Sequence, residues 1–217
     1  MTADGQLTKQ VVQDQRTEAS IAAYDQHARE YQTSLRLRRP VADVRRFADM
    51  AKRGDLVLDG ACGPATDLRL LRDAGIHPVG VDLSYGALQV ARMLLPRHPL
   101  VQAPLQDLPF KLRSFGGLWL SAAFTHLPRS AWRSTLAGLL DLLHAGPVYF
   151  SCLRGKRDLA AVTDPVLGEV YVSEAGETEV ETLLSSFGLT EISVEVRPDP
   201  IYDRRRPWVV GLGTFAG

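Results

Sequence analysis

Features that would point to several other protein classes are scarce or missing in this 217-residue sequence. It has no run of 18 or more apolar residues and no apolar segment among its first 17, so we expect neither a membrane span nor a secretory signal. Its 25 basic and 25 acidic residues cancel, so no net field favours nucleic acid or a membrane surface. The only two cysteines, Cys62 and Cys152, favour reduced thiols in a cytoplasmic protein and provide no metal-ligand set.

What the sequence does contain is an alternation of strand-like apolar runs and amphipathic helical patterns. We expect residues 1–12 to form a disordered tail and residues 13–217 a single domain, because this length suits one α/β domain and is short for two. Within that domain, residues 13–53 are interpreted as helices, residues 54–152 as a ligand-binding half and residues 153–217 as a substrate-side helix and a terminal hairpin. The alternation predicts a doubly wound, mostly parallel sheet with helices on both faces.

The most informative segment is a buried strand that ends in an acid and a tight turn of small residues. Residues 56–65 read Leu-Val-Leu-Asp-Gly-Ala-Cys-Gly-Pro-Ala, so the apolar run stops at Asp59. A second strand-like run ends at Asp82, 23 residues later (82 − 59). An acid about 20 residues beyond a glycine turn, at the tip of the next strand, is placed to accept hydrogen bonds from ribose hydroxyls. The pattern therefore predicts a nucleoside ligand.

The turn does not match the loop that binds a pyrophosphate. Gly60 and Gly63 are three residues apart, and Cys62 occupies the place of the second glycine in G-x-G-x-x-G. Pro64 removes an N–H close to where phosphate oxygens would seek one. The loop favours an uncharged linkage, and the chain also lacks a Tyr-x-x-x-Lys pair. A nucleotide-dependent oxidoreductase stays as a disfavoured alternative.

These segments resemble the class I S-adenosylmethionine-dependent methyltransferases, whose first motif commonly runs V-L-D-x-G-C-G-x-G and whose second ends in V-G-V-D-x-S. Three further segments match in order: residues 101–110 resemble the third strand ending in L-P-F, residues 114–119 the start of the fourth strand, and residues 142–149 the approach to the fifth. The resemblance covers roughly residues 20–190. It implies seven strands with the last antiparallel, an N-terminal helical lid, and S-adenosylmethionine as methyl donor with S-adenosylhomocysteine as product.

The resemblance also implies a set of cofactor-binding residues: Tyr24, Tyr31, Asp59, Gly60, Ala61, Cys62, Gly63, Asp67, Asp82, Leu83, Leu105, Gln106 and Ser121. For Asp82 we favour contact with the ribose over a structural turn. Asp59 either lies near the methionine end or fixes the loop. Asp67 either contacts the methionine moiety or favours the helix macrodipole.

An aromatic pair precedes these motifs on the first predicted helix, where residues 24–31 read Tyr-Asp-Gln-His-Ala-Arg-Glu-Tyr. In resembling enzymes this helix folds over the cofactor. The rings of Tyr24 and Tyr31 would then stabilise the sulfonium, or their hydroxyls would bind the methionine carboxylate. The alternative is ordinary core packing at helical spacing.

His126 is the candidate general base, because the segment after the fourth strand should border the methyl group and imidazole titrates near neutral pH. The alternative is a residue that only lines the pocket. The segment has Ser121-Ala122-Ala123-Phe124 where nucleic-acid amino methyltransferases often have N-P-P-Y or D-P-P-Y. That disfavours base methylation without excluding an RNA substrate.

Four residues depart from the family pattern, and one of them, Gly116 in place of an Asp before the fourth strand, concerns turn chemistry more than the site. Ala61 and Ala65 replace loop glycines, so each needs a backbone with negative φ or must tolerate a methyl group against the ligand. Pro104 replaces an acid that accepts from the adenine amino group, and it has no side-chain acceptor. These departures keep open a catalytically weak or inert relative that binds the adenosyl ligand for a regulatory or scaffold role.

We therefore predict a methyltransferase, monomeric or homodimeric, that acts on an oxygen or nitrogen of a small molecule. The arginines at 36, 38, 39, 45 and 46 and at 204–206 are interpreted as solvated faces rather than a nucleic-acid site, or as groups that attract an anionic acceptor. Residues 153–175 carry no motif that identifies the acceptor.

Overall fold

The structure is a computed structural model that describes residues 15–35, 40–198 and 207–217. The expected tail at 1–12 and the arginines at 36, 38, 39 and 204–206 lie outside the described residues. Within the described ranges the elements are α1 (Gln15–Ser34), α2 (Val41–Met50), β1 (Leu56–Gly60), α3 (Thr66–Asp73), β2 (His77–Asp82), α4 (Tyr85–Leu94), β3 (Leu100–Gln102), β4 (Leu118–Ser121), α5 (Arg129–Leu140), β5 (Gly146–Arg154), β6 (Ala160–Asp164), β7 (Gly168–Val172), β8 (Glu174–Ala175), α6 (Glu177–Ser185), β9 (Thr190–Arg197) and β10 (Trp208–Phe215).

The main sheet has the strand order β3-β2-β1-β4-β5-β10-β9, and the two-residue β8 pairs with the end of β5. The pairs β1–β2, β1–β4, β2–β3 and β4–β5 are parallel, whereas β10 runs antiparallel to both β5 and β9. The predicted mostly parallel sheet with an antiparallel last strand is confirmed. Short β8 adds an eighth strand that the sequence did not indicate.

Helices cover both faces of the sheet because successive strand residues point to opposite sides. Leu118, Leu120 and Phe150 pack with α5 and α6 on one face. Val57 and Trp119 pack with α2 and α3 on the other, together with Tyr149, whose ring stacks on Trp119 at a centroid distance of 3.8 Å. The near-continuous apolar character of β1, β4 and β5 follows from this burial on both faces.

The strand order reverses between β1 and β4, which is the point where ligands bind in open α/β sheets. The loops that follow β1, β2 and β4 therefore meet at one edge of the sheet. Residues 153–175, which carried no motif, contain the separate hairpin β6–β7. This hairpin packs against α1, so the two together form a cover over that edge.

Candidate functional site

A cavity lies over the carboxyl ends of β1, β2 and β4. Of the residues that the sequence selected, the following line it: Tyr24, Tyr31, Asp59, Ala61, Cys62, Gly63, Asp67, Asp82, Leu83, Leu105, Gln106, Ser121 and His126. Gly60 is not among the lining residues. It supports packing beneath the cavity, since a Cβ there would lie 2.8 Å from Leu120 Cδ2 and 3.2 Å from Leu105 Cδ2.

Sequence reasoning missed the apolar side of the same cavity. Thr17, Ile21 and Leu35 reach it from α1 and the residue after it, and Leu127 and Ala131 reach it from the segment after β4. Ile21 lies three residues before Tyr24, so the helical spacing that links Tyr24 and Tyr31 also includes it. The others had no signal in the sequence, because their exposure to the cavity depends on where α1 lies across the sheet edge.

Asp82, at the tip of β2, binds two backbone amides. Its Oδ2 accepts from Gly63 N at 2.7 Å and its Oδ1 accepts from Ser84 N at 2.8 Å. Burial raises the pKa of Asp82, and the amide donors from Ser84, Gly63 and Leu83 oppose that rise. Each carboxylate oxygen has a second acceptor site, so the group can still receive two hydroxyl donors from a ligand.

Asp59, at the tip of β1, is buried, but hydrogen bonds do not satisfy its whole carboxylate. Within the described part of the chain no donor reaches Asp59 Oδ2, and the Thr66 hydroxyl nearby is also buried without a partner. Burial raises the pKa of Asp59 well above its usual range, and the negative charges of Asp67 and Asp82 add to this effect. A cationic or hydrogen-bond-donating ligand group at this end of the cavity would satisfy the orphaned oxygen.

Asp67 has a structural partner in addition to its place in the lining. Its Oδ2 accepts from Trp119 Nε1 at 3.1 Å, which fixes the first turn of α3 to β4. Trp119 is fully buried, so this hydrogen bond also satisfies its only polar atom. The structure thus adds a role for Asp67 that neither sequence interpretation included.

The turn between Asp59 and α3 contains three left-handed residues: Ala61 at φ 58°, Gly63 at φ 53° and Ala65 at φ 64°. Of the two expectations for these alanines, negative φ is therefore wrong, and a methyl group tolerated against the ligand stays a prediction. The backbone keeps the left-handed conformation that a glycine adopts freely, and the alanines adopt it at a cost of about 1–2 kcal/mol each. Tertiary contacts hold them there, including Cys62 N donating to Val81 O at 2.8 Å.

Cys62 and Pro104 complete the floor and one wall of the cavity. Burial raises the pKa of the Cys62 thiol well above its usual range, so it is not a nucleophile at neutral pH. Ala103 N donates to Asp82 O at 3.1 Å, which fixes Pro104 beside the tip of β2. Pro104 offers the cavity an apolar ring and no side-chain acceptor.

The roof of the cavity is a hydrogen-bonded group of aromatic residues. The rings of Tyr24 and Tyr31 meet edge to face at a centroid distance of 5.0 Å. Tyr24 Oη lies 3.0 Å from His126 Nε2, and His126 Nδ1 lies 2.7 Å from the carbonyl oxygen of Tyr171 on β7. Burial lowers the pKa of His126, and it raises the pKa of Tyr24 well above its usual range. Both groups are therefore neutral at neutral pH.

Helix α1 is anchored at both ends of the roof. Asp25 Oδ1 accepts from Ser84 Oγ at 2.6 Å and from Gly86 N at 2.8 Å. Glycine is required at position 86, because a Cβ there would lie 2.5 Å from the carbonyl oxygen of Asp25. At the other end, Thr17 Oγ1 donates to the backbone oxygen of His126 at 2.6 Å. The Tyr-Asp motif signalled a lid, but its aspartate was not identified as the anchor.

Within residues 15–35, 40–198 and 207–217, no group of three or more His, Cys, Asp or Glu side chains is arranged to hold a metal ion. No helix in them is long and apolar enough to cross a membrane. Both cysteines are free thiols.

Residues 57–146 match the family model described as "Methyltransferase domain". Among solved structures, the chain is similar to the Burkholderia thailandensis 1,6-didemethyltoxoflavin-N1-methyltransferase that was solved with 1,6-didemethyltoxoflavin and S-adenosylhomocysteine. The TM-score is 0.69 at 20% identity, over 94% of this chain and 88% of that one. A methyltransferase from Archaeoglobus fulgidus gives a TM-score of 0.62 at 14% identity, over 86% and 99% of the two chains.

The fold is thus that of the class I S-adenosylmethionine-dependent methyltransferases. Residues 57–146, which are less than half of the chain, match the methyltransferase-domain family, and the resemblance inferred from the sequence motifs is confirmed. Among curated proteins, the chain is 30% identical over 140 residues to the malonyl-[acyl-carrier protein] O-methyltransferase of Pseudescherichia vulneris, covering 62% of this chain and 53% of that protein. It is 35% identical over 109 residues to the demethylmenaquinone methyltransferase of Clavibacter sepedonicus, covering 49% and 43%. The chain spans about half the length of these relatives.

Restoring glycine in the turn should stabilise the protein. We expect Ala61→Gly and Ala65→Gly each to raise the free energy of unfolding by about 0.5–1 kcal/mol, since relief of the left-handed strain exceeds the entropy cost of glycine. Urea unfolding monitored by circular dichroism measures the change. Ala137→Gly, in the interior of α5, is the matched control and should cost about 1 kcal/mol. A lower free energy of unfolding in the two turn variants would contradict the inference that Ala61 and Ala65 are strained.

Replacing Asp59 should show that its ionised form opposes folding. Because burial raises its pKa in the folded state, stability falls as pH rises from the usual aspartate range through the folded pKa. We expect Asp59→Asn to raise the free energy of unfolding by about 1–3 kcal/mol at pH 7, with the gain vanishing in acid. Urea unfolding across pH measures this effect. The exposed Asp141→Asn should show no such pH-dependent gain, and a destabilised Asp59→Asn at neutral pH would contradict the account.

Proposed function

We propose that this protein transfers the methyl group of S-adenosylmethionine to an oxygen or nitrogen of a small molecule. One observation carries the proposal: Asp59 and Asp82 end neighbouring strands at one cavity, and Asp59 keeps a buried oxygen without a donor. This pair suits a ligand whose ribose hydroxyls bind Asp82 and whose ammonium group binds Asp59. Gly63 N, an amide of the turn that could otherwise bind a diphosphate, is already engaged by Asp82.

Different lining residues would bind different parts of the ligand. Asp82 would accept from the ribose hydroxyls, and Asp59 and Thr66 would bind the amino-acid end through atoms that otherwise have no partner. Leu83, Leu105 and Gln106 border the purine side in this scheme. Tyr24 and Tyr31 offer aromatic faces to the positive sulfur, and the remaining lining positions proposed from the sequence are Ala61, Cys62, Gly63, Asp67 and Ser121.

Bound S-adenosylmethionine supplies a methyl group that is already activated by its positive sulfur. The chain has to hold the acceptor in line with that group and exclude water. The α1 roof performs the second task, since Asp25 and Thr17 fix it across the cavity. For an acceptor that carries a proton, His126 is the proposed base, because its neutral imidazole lies in the lining.

The comparisons support a methyltransferase of small molecules over the alternatives. Relatives and a structural neighbour carry the names of a malonyl-[acyl-carrier protein], a demethylmenaquinone and a toxoflavin methyltransferase, and the last was solved with S-adenosylhomocysteine. An inert binding protein, an RNA methyltransferase and an oxidoreductase are not favoured. The free thiols of Cys62 and Cys152 fit the proposed cytoplasmic location. We further propose that residues 13–217 form one domain and that the protein acts as a monomer or homodimer.

Calorimetry with S-adenosylmethionine, S-adenosylhomocysteine and NADPH tests the ligand class. We expect the two adenosyl ligands to bind and NADPH not to bind. Transfer of a labelled methyl group to a component of a metabolite extract then tests catalysis. Binding of NADPH alone would overturn the proposal, and binding of the adenosyl ligands without any methyl transfer would favour the inert alternative.

Asp82→Asn should weaken the adenosyl ligands specifically. We expect a loss of about 1–3 kcal/mol in binding free energy, because charge-assisted hydrogen bonds to the ribose are removed. Calorimetry with S-adenosylhomocysteine gives the value, and circular dichroism checks that the variant folds. The matched control is Asp73→Asn, which removes an exposed acid of α3 that accepts from its neighbour Arg72. An unchanged dissociation constant for Asp82→Asn would show that the ribose lies elsewhere.

A further inference from the structure

The hydrogen bond between Tyr24 and His126 has no part in the function proposed above. We infer that Tyr24 is a catalytic residue that receives the proton of a neutral hydroxyl acceptor and passes its own proton to His126. The inference rests on the proposed methyl transfer and adds to it both a second proton-handling residue and a class of acceptor.

The direction of the hydrogen bonds follows from the chemistry of the three groups. The Tyr171 carbonyl oxygen can only accept, so His126 Nδ1, 2.7 Å away, carries the proton. Neutral imidazole then has a bare Nε2, and the Tyr24 hydroxyl at 3.0 Å donates to it. The imidazole is thus oriented as a base by a backbone carbonyl, as a third group orients the base in other activated pairs.

The same geometry places Tyr24 between the base and an acceptor. The single lone pair of Nε2 is occupied by the Tyr24 hydroxyl. Tyr24 Oη also hydrogen-bonds with the Tyr31 side chain and keeps one further lone pair, and Tyr24 lines the cavity. In this arrangement an acceptor hydroxyl donates to the remaining lone pair of Tyr24 Oη, and the proton of Tyr24 passes to His126. His126 in this arrangement is the final proton acceptor, not the group that touches the acceptor.

The step balances in atoms and charge. The acceptor oxygen forms a bond to the methyl carbon as the carbon–sulfur bond breaks, and the acceptor O–H proton moves to Tyr24 Oη. The original Tyr24 proton moves to His126 Nε2 at the same time. The positive charge of the sulfonium becomes the positive charge of an imidazolium, and a neutral thioether and a neutral ether are left.

The surroundings favour transfer through the pair over separate ionisation of either group. Burial raises the pKa of Tyr24, with smaller contributions from Tyr31 on α1, Asp164 on β6 and Asp82 on β2, so a free phenolate does not accumulate. Burial lowers the pKa of His126, against the opposing effects of the Tyr171 carbonyl and Asp164. The imidazolium formed in the reaction therefore releases its proton readily once the products leave.

The lining near this pair indicates a neutral and largely apolar acceptor. Ile21 and Leu35 from the α1 side and Leu127 and Ala131 from the other side are apolar. Among the described lining residues the charged side chains are all acidic, namely Asp59, Asp67 and Asp82, and none is a lysine or arginine. An acceptor carboxylate would meet no compensating cation there, so a hydroxyl on an apolar ring, such as a phenol, fits best.

The test measures proton transfer without requiring turnover. S-adenosylhomocysteine is first bound and its affinity measured by calorimetry, and 4-nitrophenol is then added as the probe acceptor. Its phenolate absorbs visible light, so a pH titration of the bound probe reports where its proton goes. In the wild-type complex we expect a phenolate fraction about tenfold larger at mildly acidic pH than in Tyr24→Phe or His126→Asn.

The two variants isolate the proton path from packing. Tyr24→Phe keeps the ring that packs on Tyr31, and His126→Asn keeps a donor that can reach the Tyr171 carbonyl. Tyr85→Phe, at an exposed residue of α4 outside the lining, makes the same chemical change elsewhere and should match the wild type. With phenol as acceptor and S-adenosylmethionine as donor, we expect kcat for Tyr24→Phe to fall about 10²-fold. With 4-nitrophenol in alkaline buffer, where the acceptor is already ionised, the fall should be much smaller.

Each outcome decides the inference. If S-adenosylhomocysteine does not bind, the proposed function fails and this inference fails with it. If it binds but 4-nitrophenol does not, or if the bound probe titrates identically in wild type and Tyr24→Phe, only the inference is overturned. A kcat deficit in Tyr24→Phe that is equal for phenol and for ionised 4-nitrophenol would assign Tyr24 a packing role.

Discussion

The carboxylate of Asp82 is the contact on which the geometry of the site depends. Through Gly63 N it holds the turn after β1, and through Ser84 N it holds the turn that begins α4. Ser84 then accepts from Ala87 N and donates to Asp25 on α1. One buried group therefore sets the positions of the floor, of one wall and of the roof, and any ligand that binds Asp82 also acts on the residues that hold α1 in place.

The site contains several features that would destabilise a protein at any other place in its structure. Ala61 and Ala65 occupy the left-handed region, and Asp59 is buried with an oxygen that has no donor in the described structure. The rest of the sheet compensates, since β1, β4 and β5 are apolar on both faces and Trp119 stacks closely on Tyr149. Strain and unpaired charge of this kind persist where the surrounding structure fixes them and where a ligand benefits.

The sequence predicted what depends on local pattern and missed what depends on distant contacts. The tips of β1 and β2, with Asp59 and Asp82, were readable because each apolar run ends in an acid. The hairpin β6–β7 was not, because its short strands are half exposed and gain their burial from α1. Negative φ was one of two expectations for Ala61, and it fails because the strands on either side impose a left-handed turn that residue type alone disfavours. The bond from Tyr24 to His126 joins residues 102 positions apart, and no spacing rule covers it.

Tyr171 connects the roof to the His126 imidazole through its backbone N–H and its backbone carbonyl. Its N–H donates to Ser20 Oγ on α1 at 2.9 Å, and its carbonyl accepts from His126 Nδ1. Any motion that lifts α1 from the hairpin breaks the Ser20 contact and removes the Tyr24 hydroxyl from Nε2 together. In the proposed reaction, the opening of α1 that breaks these two contacts would also expose the ring nitrogen to solvent, so loss of the proton and release of the methylated compound would share that opening.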